Sequence, residues 1–293
     1  MPLTLPPKPA APLTDDQIPT RPSASDSARL LVTHADRPLV YAGLAFLALV
    51  PVSVVLAFID SRTVDGSNLW FKPLKFQASM AIYLFTLALM APLAGAAFRR
   101  GWIGRATVWL AISMGVFEVG WITLRAGLGL RSHYAESAFG NAMYLAMGVG
   151  AVILSLTCVV LAAGALFGSQ RLRTLGNVRF GVAFGAAVAV VGAIGIGGML
   201  GDSNAHYPVD ADDAANRIPV IGWSLDRGDL RIAHFIGLHA LQGLFALGLL
   251  LVRTPPAKAI PLFAVAALAW LTGVLWLATL ANGGRSPFVV FLG

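Results

Sequence analysis

Seven apolar runs dominate the chain: 39–59, 77–97, 106–126, 140–167, 181–200, 232–252 and 259–281. Each is near the roughly 20 residues that an α-helix needs to cross a bilayer core. None alternates with the period of two that a membrane β-barrel strand requires. In lipid every backbone amide must be paired, and a helix pairs them within the segment. The expected fold class is therefore all-α: an integral membrane bundle of seven transmembrane helices. Composition agrees, with 57% of residues hydrophobic and 12% charged, against roughly 25% charged in soluble proteins. That excludes an ordinary cytosolic enzyme, a disordered chain and a disulfide scaffold. The single cysteine, Cys158, excludes an intramolecular disulfide and a CxxC metal motif. The last run contains no lysine, so a retinal Schiff base in the final span is excluded too.

Residues 1–38 form a separate zone that holds 8 of the 17 prolines. No apolar periodicity develops there, and it reads as a disordered, Pro-rich cytoplasmic tail ahead of a 39–293 transmembrane domain. No short apolar core with a cleavage site precedes residue 39, so it is not a signal peptide. Basic residues orient the bundle. Arg99, Arg100 and Arg105 fill one short loop, Arg171, Arg173 and Arg179 a second, and Arg253 and Lys258 a third. With the tail, these alternate loops carry twelve basic and four acidic groups, against nine and ten on the opposite side. The positive-inside preference then places the N-terminus inside and the C-terminus outside. The charge of +7 reports these loops rather than nucleic-acid binding.

Polar groups inside or beside the spans carry the functional information, because each is costly in lipid. They gather on the outer side in three segments. The first, Asn68-Leu-Trp-Phe-Lys-Pro-Leu-Lys-Phe76, enters the second span, with Pro73 suited to a first helical turn. Lys72 and Lys75 oppose both the helix dipole and the positive-inside preference. Their placement points to an anionic partner: a protein carboxylate, a lipid headgroup, or a small-molecule acid. The second segment holds Glu118, Trp121, Arg125, Arg131, His133 and Glu136. Glu118 lies in an apolar stretch and needs a neutralising partner or a proton. Lys75 and Arg231 are the expected partners. Arg125, two turns along, is too distant axially to pair with it.

The third segment runs from Gly201 through His206 into Gly228-Asp-Leu-Arg-Ile-Ala-His-Phe-Ile-Gly-Leu-His-Ala-Leu-Gln242. Asp229 suits an N-cap. Arg231, His234, His239 and Gln242 share an arc of about 140° on an ideal helix, which should face the interior. Ala233, Ile236 and Leu244 would then meet lipid. Lys72, Lys75, Glu118, Arg125, Arg231 and Gln242 are the candidate ligand-binding residues. His133, His206, His234 and His239 are candidate metal ligands, and a transition metal or bis-His haem is open. His234 and His239 stand at i,i+5 and do not clamp one ion as a local pair. No phosphate-binding loop, dinucleotide fingerprint, nucleophile elbow or HExxH occurs.

The two long motifs, with Arg131-Ser-His133, resemble a group of uncharacterised bacterial multi-pass inner-membrane proteins over roughly residues 40–280. The resemblance implies residence in a bacterial cytoplasmic membrane and supplies no catalytic residues. Three expectations compete: an outward-facing polar site for an anionic ligand or cofactor, a haem- or metal-dependent redox protein, and a structural protein with a self-satisfied polar cluster.

Overall fold

In the computed structural model, which describes residues 22–133, 137–167, 175–202 and 216–292, each apolar run becomes a helix. Seven helices are long and apolar enough to cross a membrane: Arg37–Ile59, Phe71–Arg100, Trp102–Gly127, Ala138–Phe167, Gly176–Gly201, Leu230–Leu250 and Pro256–Asn282. These are the first to seventh long helices. They match the seven runs and start a few residues ahead of each, in polar flanks, while the sixth ends two residues before its run does.

They alternate in direction. At one end Arg99 donates to the His34 carbonyl at 3.2 Å, and Asn177 donates to the Leu251 and Thr254 carbonyls. Arg253 donates to the Pro22 carbonyl there at 3.4 Å. This basic end thus joins the start of the first and fifth helices to the close of the second and sixth. At the other end Lys72 meets His133, and Lys75 meets Ile221. That end, called the lysine end below, gathers the start of the second and sixth helices and the 128–133 connection.

The expected tail is in part ordered. Residues 1–21 lie outside the described residues, but Ala24–Thr33 forms a helix. Ser23 caps it by accepting from the Asp26 amide, and Asp26 accepts from the Ser23 amide. Such a reciprocal box satisfies two of the orphan donors at a helix start. Ser27, Leu30 and Leu31 are buried on its inner face. The first long helix then begins at Arg37, with Asp36 as N-cap.

Glycine controls the packing of the fifth and sixth helices. A Cβ at Gly185 would stand 2.9 Å from Leu241 Cα, and one at Gly248 would stand 2.9 Å from Val178 Cα. Gly192 and Gly237 oppose each other more closely still, at 2.6 Å by the same measure. Small residues let helix backbones approach in this way, where dispersion rather than hydrophobicity drives association. The fifth helix also opens into one π turn, Val191–Ile196.

Candidate functional site

The lysine end is organised by two short loops. Between the first and second helices, Thr63–Val64 pairs with Ser67–Asn68 as an antiparallel hairpin. Its turn, Asp65-Gly66, has both φ values positive, at 53° and 69°, the geometry that Asp-Gly favours in two-residue hairpins. Asp60 anchors the hairpin base: its carboxylate accepts from Arg62 Nε at 2.9 Å and from Trp70 Nε1 at 2.9 Å. These bonds, Arg62 first, hold the Asp60 carboxyl well below its ordinary value. The hairpin tip reaches across to the 128–133 connection, where Asp65 accepts from Arg131 Nε at 3.0 Å.

The second loop, Pro219-Val-Ile-Gly222, enters the sixth helix from above. Val220 has φ 65° and Gly222 φ 76°. A β-branched residue in the left-handed region is a true outlier, and strain of this kind costs about 1–3 kcal/mol. The turn aims two successive carbonyls at two cations. Lys75 Nζ donates to the Ile221 carbonyl at 2.6 Å, and Arg231 donates to the Gly222 carbonyl at 2.7 Å.

The candidate ligand-binding residues do not all come together. Lys72, Lys75 and Arg231 converge, and the charge of each of the other two acts on Lys72. Arg231 forms a two-pronged ion pair with Asp229, through Nε at 2.8 Å and a terminal nitrogen at 2.6 Å. Asp229 is also the N-cap of the sixth helix, as its sequence position suggested, accepting from the Arg231 amide at 3.0 Å. Neither lysine has a carboxylate within 4 Å among the described residues. Their ammonium groups bond to neutral acceptors instead: Lys75 to a carbonyl, and Lys72 to His133 Nδ1 at 3.2 Å.

Arg125 does not join this cluster. It lies over the Trp121 ring and donates to the Arg131 carbonyl at 2.8 Å. Gln242 lies deeper, where its amide donates to Thr86 at 3.3 Å. Glu118 corrects an expectation: neither Lys75 nor Arg231 is its partner. The Ile221 carbonyl has claimed Lys75 and the Asp229 carboxylate has claimed Arg231. The charge that reaches Glu118 is that of Lys72.

Among the described residues, His133, His234 and His239 do not come together. Among the described residues no three His, Cys, Asp or Glu side chains stand where they could hold one ion. His206 lies outside the described residues. His133 Nδ1 faces Lys72, and its ring leans on Tyr144 at 5.4 Å between centroids. His234 Nδ1 bonds the Gly192 carbonyl at 2.8 Å, beside the π turn of the fifth helix. His239 leans on Phe235 at 4.2 Å. It also marks a break between two helical segments, Leu230–Leu238 and Ala240–Leu250. The polar arc therefore does not face one common space, and the opposite arc does not face lipid. Ala233 is buried with Val274 and Ala278, and Leu244 with Val188 and Ala267. The sixth helix is covered on two sides, by the fifth and the seventh.

His133 is kept neutral. Burial first, then the neighbouring Lys72 ammonium, push its imidazole well below the ordinary 6.5. Nδ1 is therefore an acceptor and Lys72 the donor. The folded state refuses a proton that the unfolded chain takes, so stability falls as pH drops through about 6.5 toward the depressed folded value. Unfolding of the detergent-solubilised protein at pH 7.5 and 5.5 should show this loss, at no more than about 1.4 kcal/mol per pH unit. His133→Asn should reduce the loss. An unchanged slope in that variant would assign it to other groups.

Sequence reasoning missed Asp60, Asp65 and the carbonyls of Ile221 and Gly222. The Asp65-Gly66 dipeptide was the available signal for the hairpin; nothing in the sequence marks the two carbonyls. No family model, curated protein or solved structure matches this chain.

Proposed function

We propose that this chain is a multi-pass protein of a bacterial cytoplasmic membrane that binds an anionic group at the lysine end of its bundle. The N-terminal helix and the basic loops face the cytoplasm, and the lysine end faces outward. One observation carries the reading: Lys72 and Lys75 converge with Arg231, yet neither lysine meets a carboxylate among the described residues. Like charges gathered at a membrane boundary repel one another and lose hydration, which is costly unless an anion answers them. The second and sixth helices start here, and helix N-termini add partial positive charge. The strained 219–222 turn supplies carbonyl acceptors that hold Lys75 and Arg231 until an anion displaces them. A sulfate-, phosphate- or carboxylate-bearing group fits this chemistry, whether a free solute or a lipid headgroup.

The test is thermal unfolding of the purified protein with sodium sulfate against sodium chloride at equal ionic strength. Sulfate should raise the midpoint in a saturable way, since a ligand of the folded state stabilises it by mass action. Lys72→Met and Lys75→Met should each remove that response. Nanodiscs of phosphatidylglycerol against phosphatidylcholine separate the sources: stabilisation by the anionic lipid that competes with sulfate identifies a headgroup site. Equal effects of sulfate and chloride would overturn the reading. A second reading, a self-satisfied structural cluster, draws on the Asp60–Arg62 and Asp65–Arg131 pairs. It expects the lysine substitutions to alter stability without any sulfate response to lose.

A further inference from the structure

Glu118 is the buried charge that the anion site leaves unexplained. It lies in the third helix, about 14 Å below that helix's end at 1.5 Å per residue, facing the fourth helix. It is 7% exposed. Its Oε1 is sealed from solvent and receives no hydrogen bond among the described residues. The residue opposite is Gly150, where an added Cβ would stand 2.6 Å from Oε1. The fourth helix thus closes over this oxygen and offers it no donor. One turn below, Met80 of the second helix fills the space against Gly115.

The charged surroundings are sparse. From the second helix, Lys72 is the one charge among the described residues that reaches Glu118. The first and fourth helices present it with none. On its own helix, Arg125 lies two turns up and is engaged with the Arg131 carbonyl. Lys75, Asp65 and Arg231 act on Lys72 rather than on Glu118. An ionised carboxyl in such a place must be offset by a nearby cation or by a proton. A closed ion pair is absent among the described residues: no Lys, Arg or His nitrogen stands within 4 Å of its oxygens, and the Lys72 ammonium is bonded to His133 at 3.2 Å instead.

We propose that Glu118 is a proton-binding site coupled to the anion site: its carboxylate and the bound anion compete for the charge of Lys72, so that binding one anion takes up one proton. This rests on the anion reading above. Without anion, the Glu118 carboxylate and Lys72 offset each other at a distance. An arriving anion takes over the field of Lys72, and the carboxylate then accepts a proton from hydronium at the lysine end. One O–H bond forms on a carboxylate oxygen, one breaks in hydronium, and nothing is oxidised or reduced. The proton offsets one negative charge of the bound anion, which lowers the desolvation cost of an unanswered ion. Linkage makes the effect reciprocal: acid tightens anion binding, and anion tightens proton binding.

The experiment measures sulfate affinity against pH, paired with infrared titration of the protonated-carboxyl band in reconstituted protein. Wild type should bind sulfate up to about tenfold more tightly per pH unit lowered, the limit for one coupled proton. Glu118→Gln, a mimic of the neutral acid, should bind sulfate with little pH dependence and lack the titrating band. His133→Asn must keep the slope, since His133, like Lys75, is a titrating neighbour of Lys72. Sulfate should shift the midpoint of the wild-type band upward. Sulfate binding without a slope, or with a slope that survives in Glu118→Gln, overturns the coupling and leaves the anion reading standing. Absence of sulfate binding overturns the anion reading and the coupling together. The infrared band then decides the proton site alone: a titrating band lost in Glu118→Gln retains it, and no such band overturns it. Should Glu118→Gln not yield monodisperse protein, Glu118→Asp serves in its place, with a shifted band and midpoint as the expected result.

Discussion

Gly192→Ala should cost about 3 kcal/mol or more, the upper range for overpacking a close contact. The new Cβ would stand 2.6 Å from the Cα and carbonyl carbon of Gly237 and 3.0 Å from the Leu238 nitrogen. All three are backbone atoms, so no side chain can rotate away and the fifth and sixth helices must separate. Separation stretches the bond from His234 Nδ1 to the Gly192 carbonyl, now 2.8 Å. It also loosens the close approaches at Gly185 and Gly248 along the same seam. A membrane protein gains no hydrophobic recompense for this, because lipid replaces one apolar surface with another. Gly198→Ala is the control. Nothing lies within 4 Å of its added Cβ, and alanine favours a helix over glycine by roughly 1 kcal/mol. Thermal unfolding with size-exclusion profiles should show Gly192→Ala strongly lowered and Gly198→Ala unchanged or raised. Equal midpoints for the two would mean that the seam is not a closed contact.

The seven helices were legible because lipid imposes one rule, a run of about 20 apolar residues, and the chain states it seven times. The basic loops were legible as a group, and Arg99, Arg253 and the Asn177 clamp do share one end. What failed was inference about helix faces. An arc drawn on an ideal wheel assumes one buried side, so Ala233 and Leu244 read as lipid-facing. The sixth helix is buried on two sides and broken at His239. The π turn of the fifth helix, where the Gly192 carbonyl accepts from the Gly197 amide and from His234, leaves no mark in hydropathy. The helix at Ala24–Thr33 was readable in the capping pattern Ser23-x-x-Asp26, but its three buried residues are too few to show a period. The cations at the lysine end were picked out singly by their improbable placement. Which of them converge was not readable. That depends on the 219–222 turn, whose φ values no motif announces.

Arg231→Met should be the most damaging substitution at the site itself, lowering stability by about 2–3 kcal/mol. That is below the 3–5 kcal/mol typical of breaking a fully buried pair, because the arginine is partly hydrated. Its side chain is 28% exposed, whereas that of Asp229 is 3% exposed. Removal therefore strands a buried carboxylate with two backbone donors, the amides of Ser224 and Arg231. It also frees the Gly222 carbonyl in a turn already strained at Val220. The partner substitution Asp229→Asn keeps an N-capping oxygen and removes the charge, so it should cost nearer 1 kcal/mol. In the double variant the stranded charge is gone, and the combined loss should fall below the sum of the two by about 1 kcal/mol or more. Strict additivity would mean that the pair contributes nothing beyond its separate backbone bonds. Sulfate distinguishes a structural arginine from a ligand-bearing one. If Arg231 serves the anion directly, the double variant lacks the sulfate response even though the stranded charge is gone. If it only braces the turn, the double variant keeps the response through Lys72 and Lys75.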